Sequence, residues 1–223
     1  MIQKLRCFSQ ILFLILFVVL ISKGNLQIWM VLILASVVLA ALFGRFYCGW
    51  LCSIHTLMRP LEWLIEKIGW KRRAVPSWAR SPILRYCILG AMIVVLVLTM
   101  VRGIKFPLLL ILIPLALVVS SVFHSALWHR YLCPYGILFS LTARFAPLRV
   151  RVNQKNCNSC ALCTRACPAE GVSIAREKET ATIDPRYCLE CFLCQDVCRR
   201  GAISYSKQAG GVKSSSTSFT PKL

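Results

Sequence analysis

The sequence predicts an all-α membrane domain, four transmembrane helices arranged as two hairpins, followed by a small α+β domain rich in cysteine. Three observations predict it. The 223 residues are 57% hydrophobic with a mean hydropathy of +0.66, above the range of ordinary soluble domains. Uncharged apolar runs near spanning length recur before residue 150. Eight of the 13 cysteines crowd between residues 157 and 198.

The first span is expected at about residues 7–23, after a short basic head. A basic start before an apolar core is also the pattern of a signal peptide. No small-x-small cleavage site follows and another apolar run comes at once, so a retained span is the better reading. Residues 24–44 carry no charge between Lys23 and Arg45, enough to cross about 30 Å of hydrocarbon. Farther on, Leu57, Leu61, Leu64, Ile65 and Ile68 share one helical face near Trp63, Trp70 and Trp78. This reads as an amphipathic helix over about 57–68 lying in the membrane interface. The third span is expected at 82–101, a tight turn at 102–105, and the fourth span at 106–128. A short apolar helix then runs to about 146. Residues 1–150 thus form the membrane domain, 151–206 the cysteine-rich domain, and 207–223 a flexible Ser/Thr/Lys-rich tail.

The net charge of +19 is unevenly spread: residues 1–150 hold 16 of the 27 Lys and Arg and only two acids, Glu62 and Glu66. The cations flank apolar runs, so membrane topology and anionic lipid account for them and no nucleic-acid partner is expected. Of those 16, only Lys23, Arg102 and Lys105 fall on the far side of four spans. The positive-inside rule then puts both termini and the cysteine-rich domain in the cytoplasm, facing in from the inner membrane of a bacterium or archaeon. A reducing compartment also suits a chain rich in free thiols.

The chemistry lies in two runs, Cys157-Asn-Ser-Cys160-Ala-Leu-Cys163-Thr-Arg-Ala-Cys167 and Cys188-Leu-Glu-Cys191-Phe-Leu-Cys194-Gln-Asp-Val-Cys198. Each is C-x2-C-x2-C-x3-C, the spacing that holds [4Fe–4S] cubanes. Two residues between cysteines let three thiolates reach three irons of one cube. The fourth lies too far along to close the same cube, and in two-cluster chains of this spacing it ligates the other one. One cluster is therefore assigned to Cys157, Cys160, Cys163 and Cys198, and the other to Cys188, Cys191, Cys194 and Cys167. Structural zinc needs four ligands on looser loops, so it fits this doubled spacing poorly. The region resembles the bacterial two-cluster ferredoxins over about residues 151–206, with Arg199 where that family often has proline.

A shorter repeat ends the expected hairpins. Trp50-Leu51-Cys52 aligns with Tyr131-Leu132-Cys133, which matches Cys48 with His129. Cys48, Cys52, His129 and Cys133 are thus candidates for a further metal or redox centre at the membrane interface, being soft ligands at equivalent depth; the bland alternative is that they pack helix ends. His124, in the fourth span, is a candidate for proton exchange with a quinone or for an interhelical hydrogen bond. His55 reads equally as ligand, quinone contact or loop residue. Arg45 and Arg130 read as topology anchors, and Cys7 and Cys87 as buried structural thiols.

On these motifs the whole chain resembles the polyferredoxin membrane proteins of the NapH and NosR type. That family has four or more spans, two C-x3-C-P motifs at their cytoplasmic ends and a C-terminal two-cluster ferredoxin. Here Ser53 replaces the first proline and His129 the first cysteine of the second motif. The resemblance implies a membrane-anchored electron-transfer component passing electrons between the quinone pool, or a membrane partner, and a reductase system. No nucleophile triad, phosphate-cradling glycine loop or paired carboxylates accompany it in the membrane part. The alternative it allows is an accessory or maturation factor, supplying electrons for metal-centre assembly or activation in a partner redox enzyme.

Overall fold

The computed structural model describes residues 2–102, 108–174 and 180–207. The turn expected at 102–105 lies outside them apart from Arg102, as do the first residues of the expected fourth span and the tail beyond Lys207. Apolar stretches, charged only at Lys4 and Arg6 in the first and at Arg85 and Arg102 in the third, form α1 (Ile2–Ser22), α2 (Leu26–Phe43), α5 (Pro82–Arg102) and α6 (Leu108–Val122). Between them come the short α3 (Phe46–Trp50) and the amphipathic α4 (Ser53–Ile68), and after α6 a π-helical turn (Leu127–Leu132) and α7 (Pro134–Ala143). Ile2–Ser22 and Pro82–Thr99 are each long and apolar enough to cross a membrane; Gln27–Phe43 and Leu108–Val122 are shorter. Among the described residues, two of the four expected spans therefore have full length within one helix.

Two expectations are corrected. The fourth span was placed at 106–128, but α6 ends at Val122. There the stretch after α4 crosses it: the Arg73 N–H donates to Val122 O and the His124 N–H to Arg73 O, each at 2.9 Å, a parallel bridge that takes the backbone out of the helix. The helix expected at 57–68 begins at Ser53, because Cys52 holds extended backbone (φ −68°, ψ 115°) and caps it. Ile54, Met58 and Ile65 are buried while Leu64 and Ile68 are exposed, because α4 packs against α6 and α1. Finally, the two halves of the helical part are not independent units. α1 pairs with α2, with Phe17 against Trp29 at 5.0 Å, but α5 packs on α7 and α6 on α4. The outward faces of α1, α2, α5 and α6 remain apolar and exposed, with Phe8, Val31, Val38, Ile83 and Val118 among them.

The cysteine-rich part is built from two small antiparallel sheets. β1 (Leu148–Val152) pairs with β4 (Ile203–Lys207), and β2 (Val172–Ile174) with β3 (Ala181–Ile183). One-turn helices α8 (Leu162–Arg165) and α9 (Leu193–Asp196) follow the first two cysteines of each run. This part is fused to the helix ends: Ala169, Leu189 and Cys191 belong to the same buried core as Trp29, Met58 and Phe139. α3 approaches the Leu189 carbonyl so closely that only the hydrogen of Gly49 fits, and a Cβ there would collide with that oxygen. Trp50 Nε1–H donates to Glu190 O (3.0 Å), Gln3 Nε2–H to Cys191 O (3.0 Å) and Arg45 Nη1–H to Arg186 O (3.0 Å).

Candidate iron–sulfur sites

The two cysteine runs have the same backbone, position for position. Ser159 and Ala161 in the first, and Glu190 and Phe192 in the second, hold left-handed φ of 57°, 59°, 50° and 60°. Such conformations cost a non-glycine residue about 1–2 kcal/mol each, and here they bend the chain so that successive thiols face one point. After each fourth cysteine a further left-handed residue, Glu170 or Gly201, turns an N–H back onto sulfur. Gly171 N–H donates to Cys167 Sγ at 3.2 Å and Ala202 N–H to Cys198 Sγ at 3.3 Å.

Two cavities result. Cys157, Cys160, Cys163 and Cys198 line one, together with Ile174 and Ile203. Cys167, Cys188, Cys191 and Cys194 line the other, with Val150 and Phe192. In each, the fourth cysteine comes from the other run. Burial pushes the Cys167 thiol up to about 11, and those of Cys163 and Cys191 above their ordinary value. Bare, these thiols would keep their protons, and a cationic iron would displace them. Among the described residues no three His, Cys, Asp or Glu side chains converge closely enough for a single ion. The thiols stand around a space instead, which suits a group of several atoms. An all-thiolate donor set with inward N–H groups fits a [4Fe–4S] cubane.

Burial lifts Glu190 to about 8, although the Val150 N–H donates to its Oε2 at 3.0 Å. It is fully buried within the second run, and its side chain reaches the backbone of Gly44, where φ is +75° and a Cβ would stand 2.7 Å from Oε1.

A third cavity lies among the helix ends. Cys48, Cys52, His129 and Cys133 line it together, with Tyr47, Trp128 and Tyr135. α3 supplies Cys48 and the π-helical turn supplies His129. Cys52 and Cys133 cap α4 and α7 with nearly the same backbone, (−68°, 115°) and (−71°, 111°). The two short motifs seen in the sequence therefore meet face to face.

His55 is neither solvated nor in a loop. It lies buried on α4 with Nδ1 3.1 Å from His129 Nε2, and Arg6 Nη2 lies 2.7 Å from its Nε2. Arg6 also donates through Nε–H to Gly49 O (3.0 Å) and through Nη1–H to Cys191 O (3.1 Å). His124 lies beyond the end of α6 rather than inside it, part-exposed, with Nδ1 3.5 Å from Glu170 Oε1. Cys7 and Cys87, expected to be buried, are exposed on the outer faces of α1 and α5. Arg45 and Arg130 are buried in the seam rather than anchoring topology from outside.

Arg6, Gln3, Gln10 and Glu190 are not marked by any motif. They bond to backbone carbonyls and amides far along the chain, and for the first three the one signal is a polar residue on an otherwise apolar first helix.

A protein-family model described as a 4Fe-4S binding domain matches twice, over residues 25–72 and 106–153. Those are the segments that carry the short motifs, so the repeat extends over both halves of the helical part. A second family, the 4Fe-4S dicluster domain, matches residues 149–199. The chain is 31% identical over 179 residues to an uncharacterized protein of Methanocaldococcus jannaschii, covering 77% of this chain and 68% of that one. It is 24% identical over 192 residues to the putative electron transport protein YccM of Escherichia coli, covering 76% of this chain and 53% of that one. To the ferredoxin-type protein NapH of Haemophilus influenzae it is 24% identical over 187 residues, covering 75% and 64%. No solved structure matches significantly.

Proposed function

The chain belongs to the NapH-like, ferredoxin-type 4Fe-4S proteins, and on that premise we propose that it is a membrane-anchored component passing electrons between the quinone pool, or a membrane partner, and a reductase system. The observation that carries this reading is the sorting of eight cysteines into two cavities, four to each, with the fourth exchanged between runs. Cys157, Cys160, Cys163 and Cys198 would hold one [4Fe–4S] cluster; Cys188, Cys191, Cys194 and Cys167 would hold the other. Each bound cluster supplies one reversibly held electron.

The chain's own groups set the environment of that electron. Gly171 and Ala202 aim N–H groups at sulfur. Arg6 and Gln3 fix the Cys191 carbonyl, which holds the second cavity against the helices. The first cavity's Cys160 is exposed, whereas none of the second cavity's cysteines is. On this reading the second stands on the membrane side and the first on the side open to a soluble partner.

Membrane anchoring is supported by the exposed apolar faces of α1, α2, α5 and α6. On this reading four helices span, α2 and α6 reaching the headgroups with help from flanking residues, and the cation bias places the cluster domain in the cytoplasm.

The test uses full-length protein purified without oxygen and reconstituted in liposomes. Two reduced [4Fe–4S] EPR signals with dithionite, and reduction of at least one by menaquinol, are expected. Protein that holds both clusters but exchanges no electrons with any quinol or quinone overturns the quinone link, and iron-free protein overturns the whole reading.

A further inference from the structure

We propose that Cys48, Cys52 and Cys133 bind a third iron–sulfur cluster of the cubane type among the helix ends, with His129 as a hydrogen-bond donor to it rather than a ligand. The proposal rests on the two-cluster reading of the cysteine runs only for its comparison of the cavities.

The simpler reading, three buried thiols that merely pack, leaves a buried charge unexplained. Arg45 is 1% exposed. Among the described residues its guanidinium forms no ion pair with a carboxylate. A buried charge without a counter-ion is costly, and neutral thiols do not offset it. Arg45 Nη2 points at Cys48 Sγ from 3.8 Å and donates to His129 O at 3.3 Å. An anionic cluster with three thiolates would supply the charge that this guanidinium lacks.

The cavity shares the construction of the other two. The Gly136 N–H donates to Cys133 Sγ at 3.3 Å, as Gly171 and Ala202 do for Cys167 and Cys198. Cys52 and Cys133 sit at the N-termini of α4 and α7, where helix dipoles favour thiolate. As in the other two cavities, the donors ring a space and do not converge on one ion.

The role of His129 follows from the direction of a hydrogen-bond chain. A guanidinium only donates, so His55 Nε2 accepts from Arg6. Neutral His55 then carries its proton on Nδ1 and donates it to His129 Nε2. His129 in turn carries its proton on Nδ1, so neither ring nitrogen has a lone pair left for iron. This leaves three thiolates, and one iron of the cube without a protein sulfur.

Iron and sulfide are counted in the anaerobically purified full-length chain. About twelve irons per chain are expected, four for each cubane. Cys48→Ser and Cys133→Ser should each lower the count by about four while both EPR signals of the cysteine runs persist, which also shows that the variants fold. His129→Gln should keep the full count and shift the potential of the third centre. A wild-type count of about eight with both signals present overturns the proposal, as does an unchanged count in Cys48→Ser and Cys133→Ser. Loss of about four irons in His129→Gln overturns the three-thiolate assignment. Failure of the two-cluster reading would be seen separately, as absence of the signals that Cys163→Ser and Cys194→Ser should each remove.

Discussion

Single residues decide how firmly the cysteine-rich part sits on the helices. Gly49 is the clearest case, because a methyl group there would meet the Leu189 carbonyl, a backbone atom that cannot swing aside. Gly49→Ala is expected to destabilise by about 1–3 kcal/mol, as overpacking does in a close-packed interior, read from thermal unfolding in detergent; an unchanged melting temperature would show that the seam is loose. The exchange of the fourth ligand gives a sharper test. Cys198→Ser should perturb the EPR signal that Cys157→Ser perturbs, and leave the signal governed by Cys188 intact. The eight cysteines were legible in the sequence because cluster ligation demands one side chain at fixed short spacing. Arg6 and Glu190 were not, because what places them is a backbone carbonyl or amide that only the folded chain brings near.

At the scale of elements, apolar length announced the helices, but their ends and faces came from partners distant in sequence. α6 stops where Arg73 crosses it, and nothing near Val122 foretells that. The packed side of α4 includes Met58, fully buried, and leaves out Ile68, 68% exposed. Met58→Ala should therefore cost about 2–5 kcal/mol, the usual range for a large-to-small change in a core, whereas Ile68→Ala should stay within about 0.5 kcal/mol. Denaturant unfolding of the two variants side by side checks this. Equal losses would mean that Ile68 is packed as firmly as Met58.

For the whole molecule, charge and hydropathy were legible while the assembly was not. Composition indicated a helical membrane part and a separate cysteine-rich one; the structure joins them in one core through Ala169, Leu189 and Cys191. Within or next to the two cysteine runs, Lys155, Arg165, Arg199 and Arg200 are exposed, and Arg200 lines the same cavity as Cys160. Electron transfer to an anionic acceptor should thus slow as salt rises, since such steering is screened beyond about 10 Å at 0.1 M; stopped-flow rates at two ionic strengths test it. Topology has its own test. A cysteine placed at Lys23 should react with an impermeant thiol reagent in intact cells, and one placed at Lys207 should not.

The borrowing of a closing sulfur between the runs has a consequence for damage. If air strips the cube nearer the solvent, its neighbour is left holding Cys167 on a stretch of chain that has lost its own inorganic scaffold. Loss of one cube should therefore leave the other in place but less firmly held, so in molecules that oxygen has robbed of the first the second should bleach faster than in intact ones.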